Sequence, residues 1–527
     1  MTRRQVFLVV LAFLGLALLV YGRSLTNDFV PFDDDILVSR NPVIRELSPR
    51  SIRKAFTMFD PELYIPLTFL TFQVEYQAGG MNPAVFHTTN LVLHTANALF
   101  VCWLTFLLTR RRFAGVVAGL LFLLHPLHAE AVAWVAGRKD VLSAFFFLAS
   151  LIAYVTHVRK PRWTAYVLSL ELFLLGLLSK VIVVTLPVIL LLIDVWEGRG
   201  ITRKSLWEKA PFFLLSIVFG VIAFLGKGAD TLPKAYSLLQ WILLLAGSTA
   251  FTLWKLFLPF SLSVIYPLAG PPSPGGAGYL LALVICAFLA GFVAYGWKHA
   301  RRIWVGVAFF LITLAPTFFN LYKGSVTYIA SDRYAYIPSI GLFLLAGLGA
   351  ARLYDHLSPR SLRRGAAVLG IFVFAAFGFL SFRQSLVWKD GITLFSHALS
   401  LYPRSALALN NRANAYIRQG NVDAAIADYR AALAVEPESV RLHNNLAKAY
   451  IRKGMKDEAY AEFEKALNID LGDAETHLAL ALFFFQENRI QDARDALRNA
   501  YALNPDFVER QTDPALAQLG MGPVIGE

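Results

Sequence analysis

The amino-acid sequence predicts an all-α protein in two parts: a membrane domain of about eleven spanning helices, followed by an α-solenoid. Three observations carry that expectation. Of 527 residues, 57% are hydrophobic and only 16% charged, whereas roughly a quarter are charged in a soluble protein. Up to about residue 383, apolar runs alternate with short polar connections, and beyond about 390 no run could cross a bilayer. In that last region small and aromatic residues recur with a period of 34.

The first span, residues 5–22, is uncharged and follows Arg3-Arg4, so the positive-inside rule places the N-terminus in the cytoplasm. No small-x-small cleavage site follows Val20-Tyr21-Gly22, which favours an uncleaved anchor over a signal peptide. Further spans are expected at 86–108, 114–128, 140–157, 163–179, 181–196, 211–226, 278–297, 303–319, 337–353 and 365–382. This layout puts Arg110–Arg112, Arg159-Lys160, Arg199 to Lys204, Lys298 to Arg302 and Arg352 to Arg364 all in the cytoplasm. The stretch 237–258 is apolar enough to cross, but a crossing there would send Lys298 to Arg302 outside. It is therefore expected to be re-entrant or packed in the outer leaflet. The first loop (23–85), His125–Asp140, the turn at Ser179-Lys180, Asn320–Ser339 and the C-terminal region then share the extracytoplasmic face. That face is the periplasmic one if the membrane is a bacterial inner membrane.

The net charge of +13 is distributed as these topological clusters, so nucleic acid is not an expected partner. Cys102 and Cys286 lie inside apolar runs and form neither a disulfide framework nor a zinc spacing. Neither a phosphate-binding glycine loop nor a serine elbow is present.

The repeat is the tetratricopeptide pattern of paired helices. Tyr416, Tyr450 and Phe484 hold its register, as do Ala425, Ala459 and Ala493, and Ala432, Ala466 and Ala500. Ala413, Ala447 and Ala481 supply small residues where helices cross, and Phe395, Ala398 and Pro403 keep the register one period earlier. The expected domains are 1–385 (membrane), 386–404 (connecting half-repeat), 405–505 (three repeats) and 506–527 (cap or tail). Such arrays bind extended partners in a concave groove. Asn410, Asn411, Asn444, Asn445 and His477 are groove candidates, with solvated helix faces as the plainer reading.

Several polar motifs fall on the expected outer face. Asp33, Asp34 and Asp35 are adjacent carboxylates whose mutual repulsion favours a proton, a cation or a cationic group as partner. His125-Pro126-Leu127-His128-Ala129-Glu130 leads to Arg138-Lys139-Asp140. His128 and Glu130 could ligate a metal, though two ligands are a weak signal and loop hydrogen bonding explains them as well. Arg138 and Lys139 suit a lipid phosphate, or else an interfacial anchor. Lys180 has the same two readings. Arg333, beside Tyr334 and Tyr336, suits a phosphate with an adjoining sugar, unless Asp332 simply pairs with it. His87, Asn90, His94 and Asn97 share one helix face, for interhelical hydrogen bonds or substrate contact.

Taken together, Asp33–Asp35 with Asn41-Pro42, Tyr64-Ile65-Pro66-Leu67-Thr68, Asn82-Pro83 to His87, HPLHAEAVAWVAGRKD at 125–140, Ser179-Lys180 with Thr185-Leu186-Pro187, and Ser331–Ser339 resemble one family. It is the transmembrane and tetratricopeptide repeat-containing proteins, similar to protein O-mannosyltransferases, and the resemblance spans nearly the whole chain. It implies a glycosyltransferase that takes a sugar, mannose or another hexose, from a polyprenyl-phosphate donor to Ser/Thr hydroxyls, with the repeats recruiting the acceptor protein. It also implies that Asp33 and Asp34 are the catalytic acidic pair, one the general base and the other orienting the hydroxyl. Relatives carry Asp-Glu where this chain has three Asp, which leaves the register open. Arg138, Lys139, Lys180 and Arg333 are then donor-phosphate candidates. Asp35, His87, His128, Glu130, Asp140 and Tyr336 are further substrate contacts. The resemblance neither demands nor rules out a divalent cation. Competing readings are a non-enzymatic repeat scaffold anchored in the membrane for envelope assembly, and a transferase acting on a glycan or lipid.

Overall fold

The computed structural model describes residues 2–59, 63–227, 236–268, 270–323, 326–505 and 507–508. It divides into two compact units, Met1–Leu394 and Phe395–Glu527. Among the described residues both are helical, apart from one short antiparallel pair, Tyr322–Lys323 with Val326–Thr327.

Among the described residues of the first unit, eight helices are long and apolar enough to cross a membrane. A ninth results if the bent pair Arg112–Leu124 and Pro126–Ala133 is one span. The sequence suggested about eleven spans. The difference lies in the segment 163–197, where helix Trp163–Ser179 is short and a 3-10 turn, Val181–Thr185, precedes helix Leu186–Glu197. Helix Ser339–His356 also falls outside the set, closing on Arg352, Asp355 and His356.

Consecutive helices form hairpins whose basic turns meet at one end of the unit. Arg111 pairs with Asp355, joining the turn after Pro83–Thr109 to the end of Ser339–His356. Trp196 Nε1 donates to Leu108 O at 3.0 Å, Tyr166 OH donates to Glu208 O at 2.7 Å, and Arg302 lies 5.7 Å over Trp196. Arg159 pairs with Glu197 beside Trp196, and Arg199 pairs with Glu208, so the clusters at 110–112, 159–160, 199–204 and 298–302 each have a member at this end.

Helix Leu238–Phe257 runs unbroken for 20 residues, long enough to span. Both its ends, however, are tied to the opposite end of the unit. Tyr236, just before it, donates to Thr327 Oγ1 at 3.2 Å, and Leu256 O accepts from His125 Nε2 at 3.0 Å.

The break at Pro126 decides how the charged end is built. The helix Arg112–Leu124 stops there and bends by 53°, freeing the carbonyls of its last turn. Buried side chains satisfy them, as apolar surroundings require. Phe122 O takes His128 Nδ1 (2.7 Å), Leu123 O takes His94 Nε2 (3.2 Å) and Tyr21 OH (3.3 Å), and Leu124 O takes Ser381 Oγ (2.8 Å). Close approach below the break needs glycine: a side chain at Gly119 would strike Ala98 O and the Cys102 Cβ.

In the second unit the helix pairs are Ala406–Arg418 with Val422–Leu433, Val440–Lys453 with Lys456–Ile469, and Ala474–Gln486 with Ile490–Leu503. Ala413, Ala425, Ala447, Ala459 and Ala493 are completely buried where helices cross, and Phe395 and Ala398 are buried one period earlier. Most of the expected groove residues turn out to hold repeats together. Asn444 is buried and donates to Thr476 Oγ1 (2.8 Å) and Asp473 (3.3 Å). Asn445 donates to Asn410 Oδ1 (2.8 Å), and Asn411 donates to Leu407 O (3.0 Å). His477 is half-buried and lines a cleft of about 540 Å³ with Tyr460, Glu464, Leu471 and Phe484. Of the expected tail, 506–527, only Phe507 and Val508 lie among the described residues.

Candidate active site

The acidic run sits on the loop that follows the first helix, Arg3–Tyr21. The structure separates its carboxylates. Asp34 is fully buried, with Oδ2 accepting from Val30 N at 2.9 Å and Oδ1 from Ala136 N at 2.8 Å. It therefore pins the loop to the turn Val135–Gly137. Burial pushes its carboxyl up to about 7, the two N–H bonds oppose that, and Asp33 adds to it. Asp33 keeps 23% of its side chain exposed and meets Lys139 Nζ at 3.2 Å. Asp35 opens the following single turn, Asp35–Ser39, and is partly exposed.

The expected outer loop 125–140 is instead a buried chain of short helices, Pro126–His128, Ala129–Ala133 and Val135–Gly137, feeding helix Arg138–Arg159. Adjacent Arg138 and Lys139 consequently face different surroundings, since successive helical residues turn by about 100°. Arg138 points inward and is wholly buried. It pairs with Glu75 (2.8 Å) and donates to Asn90 Oδ1 (2.6 Å), Thr71 Oγ1 (3.0 Å) and Phe86 O (2.9 Å). Its guanidinium is committed to structure, which corrects its assignment as a phosphate grip. Lys139 turns to Asp33 and lies 4.8 Å over the ring of Trp134.

Two further cations complete the cluster. Lys180 donates to Asp140 Oδ1 at 2.5 Å. Burial lowers its ammonium to about 8 against the pull of Asp140. Arg333 forms an ion pair with Glu130, donates from its backbone N to Glu130 Oε2 at 3.1 Å, and rests 5.2 Å over Trp134. Asp332 does not pair with Arg333 in the way its neighbourhood in sequence suggested. It accepts from Tyr266 OH at 2.7 Å, and burial beside Glu130 raises its carboxyl well above the usual range.

Other expected contacts are structural in this geometry. Tyr336 OH is buried between His94 Nδ1 (2.8 Å) and Asn97 Nδ2 (3.1 Å). His87 is buried against the backbone of Asn27 and Asp28. His128 faces Phe122 O and Ser339 Oγ, while Glu130 faces Arg333 and Ser331, so the two do not converge as metal ligands. Among the described residues no group of three or more His, Cys, Asp or Glu side chains is placed to hold a metal ion.

Sequence reasoning missed the aromatic centre of the cluster. Trp134 is fully buried, carries Lys139 and Arg333 over its ring, and stacks on Trp388 with centroids 5.6 Å apart. A tryptophan inside HAEAVAWVAGRKD was the available signal, since a large ring amid small and charged residues has few partners of its own kind nearby. Glu75 was missed because it is the lone charged residue of a helix, Pro66–Gly79, far in sequence from Arg138.

Tetratricopeptide repeat models match residues 394–427 and 440–473, and a TPR repeat model matches 413–454. The human protein O-mannosyl-transferase TMTC1 is 25% identical over 486 residues, covering 79% of this chain and 54% of that protein. Human TMTC4 is 27% identical over 496 residues, covering 79% of this chain and 64% of its own length. A shorter match to human TMTC2 is 40% identical over 103 residues, 19% of this chain. The chain thus spans between about half and two thirds of the length of TMTC1 and TMTC4. Over most of its length it is similar to proteins named protein O-mannosyl-transferases of the TMTC type, and its second unit is a tetratricopeptide repeat array.

Proposed function

We propose that this chain is an integral membrane glycosyltransferase that moves a hexose from a polyprenyl-phosphate donor to a Ser/Thr hydroxyl, and that its repeats recruit the acceptor protein. The observation that carries the reading is Asp33: a partly exposed carboxylate 3.2 Å from Lys139, with Arg333 sharing the ring of Trp134. Asp33 takes the proton of the acceptor hydroxyl as its oxygen attacks the anomeric carbon. The bond from that carbon to the phosphate oxygen breaks, and the phosphate leaves with the electron pair. Lys139, Arg333 and Lys180 stabilise the charge it gains. Asp34 acts one step back, holding the loop so that Asp33 faces Lys139. This assigns the base, left open between Asp33 and Asp34 by the sequence, to Asp33 and gives Asp34 the task of positioning the loop.

The convergence of the basic turns at one end supports an orientation with that end in the cytoplasm and the Asp33 cluster at the extracytoplasmic surface. Helix Leu238–Phe257 then lies within the outer leaflet, both of its ends being tied to the cluster's side.

Purified full-length protein, given a labelled polyprenyl-phosphate sugar and candidate secreted proteins, is expected to yield an O-glycosylated Ser or Thr identified by mass spectrometry. Asp33→Asn is expected to abolish that product. Normal transfer by a well-folded Asp33→Asn protein would overturn the assignment.

A further inference from the structure

Buried polar groups in native proteins nearly always find a hydrogen-bond partner, so each exception asks for a missing one. Two exceptions belong to residues of the Asp33 cluster. Trp134 is fully buried and its Nε1–H has no partner. Asp140 is 4% exposed, spends Oδ1 on Lys180 at 2.5 Å, and leaves Oδ2 unpaired. Lys139, the residue before Asp140, lies over the Trp134 ring, and Asp140 acts electrostatically on Arg333, which lies over the same ring. Trp388, stacked on Trp134, also has an unpaired buried Nε1.

The chemistry of the two gaps restricts what fills them. Trp134 lacks an acceptor and Asp140 lacks a donor. A phosphate oxygen would serve Trp134 but be repelled by the Asp140 carboxylate. A cationic ligand would serve Asp140 and leave Trp134 unpaired, besides meeting Lys139, Lys180 and Arg333. Hydroxyl groups both donate and accept and carry no charge, so a ligand bearing several of them can satisfy each gap.

We propose that Trp134 and Asp140 form the sugar subsite of the donor, Trp134 Nε1–H donating to hexose hydroxyls and Asp140 Oδ2 accepting from them. The proposal rests on the glycosyltransferase reading and adds to it. The cations bind the part of the donor shared with any lipid phosphate, while these two residues read the sugar. Water would satisfy both groups too, and the test separates that case.

Full-length protein in nanodiscs is titrated with polyprenyl phosphate carrying mannose or glucose, and with polyprenyl phosphate carrying no sugar. Wild type is expected to bind at least one sugar-bearing lipid about tenfold more tightly than the bare phosphate. Trp134→Phe keeps one six-membered aromatic ring for Trp388 and the cations and removes the N–H together with the pyrrole part of the indole. It is expected to cut that preference about 5- to 10-fold, as is Asp140→Asn. If Asp140→Asn does not fold, Trp134→Phe decides alone. A preference that survives both substitutions overturns the subsite, as water-filled gaps would require. Equal binding of all three lipids by wild type overturns it as well, yet leaves the proposed transferase standing. Binding of none of them removes both.

Discussion

Helix Arg138–Arg159 carries a buried ion cluster near each end, roughly 24 Å apart at 1.5 Å per residue from residue 138 to 154, and the two are built on different plans. At the basic-turn end, Asp194 and Lys209 are wholly buried and paired with each other. Tyr154 OH donates to Asp194 at 2.8 Å, and Arg199 reaches Asp194 at 3.2 Å and both oxygens of Glu208 at 2.9 Å. Both oxygens of Asp194 have partners within the chain. At the other end Asp33 stays partly exposed, and Trp134 and Asp140 keep buried polar atoms without partners. A closed network stabilises the arrangement it already has. An incompletely satisfied one, with three cations around a semi-exposed carboxylate, costs stability and retains capacity for a ligand.

The comparison breaks most visibly at Asp33 and Asp194. Asp33→Asn is expected to lower transfer by about 100-fold or more while changing unfolding free energy by no more than about 1 kcal/mol. Asp194→Asn is expected to do the reverse, destabilising by about 3 kcal/mol or more by stranding Lys209, with the remaining folded protein turning over normally. Thermal unfolding in nanodiscs alongside a transfer assay checks both, and the idea of two plans fails if the two profiles coincide.

Asp34→Asn comes next. The new amide NH₂ must face either Val30 N–H or Ala136 N–H, so a destabilisation of about 1–3 kcal/mol is expected, and activity falls with the folded fraction. A stable but inactive Asp34→Asn protein would instead make Asp34 the base.

A smaller effect concerns pH. The Lys180 ammonium, lowered to about 8, is charged below that pH and lost above it. Donor KM is therefore expected to rise as pH climbs past 8, by up to about tenfold per unit, and Lys180→Arg should flatten that rise because guanidinium stays charged. A donor KM independent of pH from 7 to 9 would remove Lys180 from the phosphate grip.

The smallest effect lies in the repeats. Asn444→Ala is expected to cost about 1–2 kcal/mol in the unfolding of that unit, because Thr476 and Asp473 both lose the Asn444 amide that bridges the repeats. If it weakened acceptor capture without any loss of stability, the groove reading of Asn444 would return.

Much of the fold was legible in sequence and much less of the site. Ala413, Ala447 and Ala481 announced their crossings because a 34-residue period is written along the chain. The same reasoning could not tell Asp33 from Asp34, since their difference is made by Ala136 N, 102 residues away from Asp34. Arg138 and Lys139 were likewise one cationic pair on paper, until helix rotation sent one to Glu75 and the other to Asp33. His128 and Glu130 were a weak metal pair on paper, whereas His128 bonds Phe122 O across a helix break and Glu130 pairs with Arg333, tasks that exist only once the break is buried among other helices.

The sequence by itself determined the two-part, all-helical plan, the basic turns and the repeat register, because hydrophobic run length, charge bias and periodicity are local properties of the chain. Tertiary structure alone decided which charges are committed and which remain available. Those decisions rest on pairs such as Lys209 with Asp194, committed, and Lys139 with Asp33, available, separated by 15 and 106 residues. Burial makes an unpaired charge costly, so each partner is set by what packing brings near and not by what lies beside it in sequence.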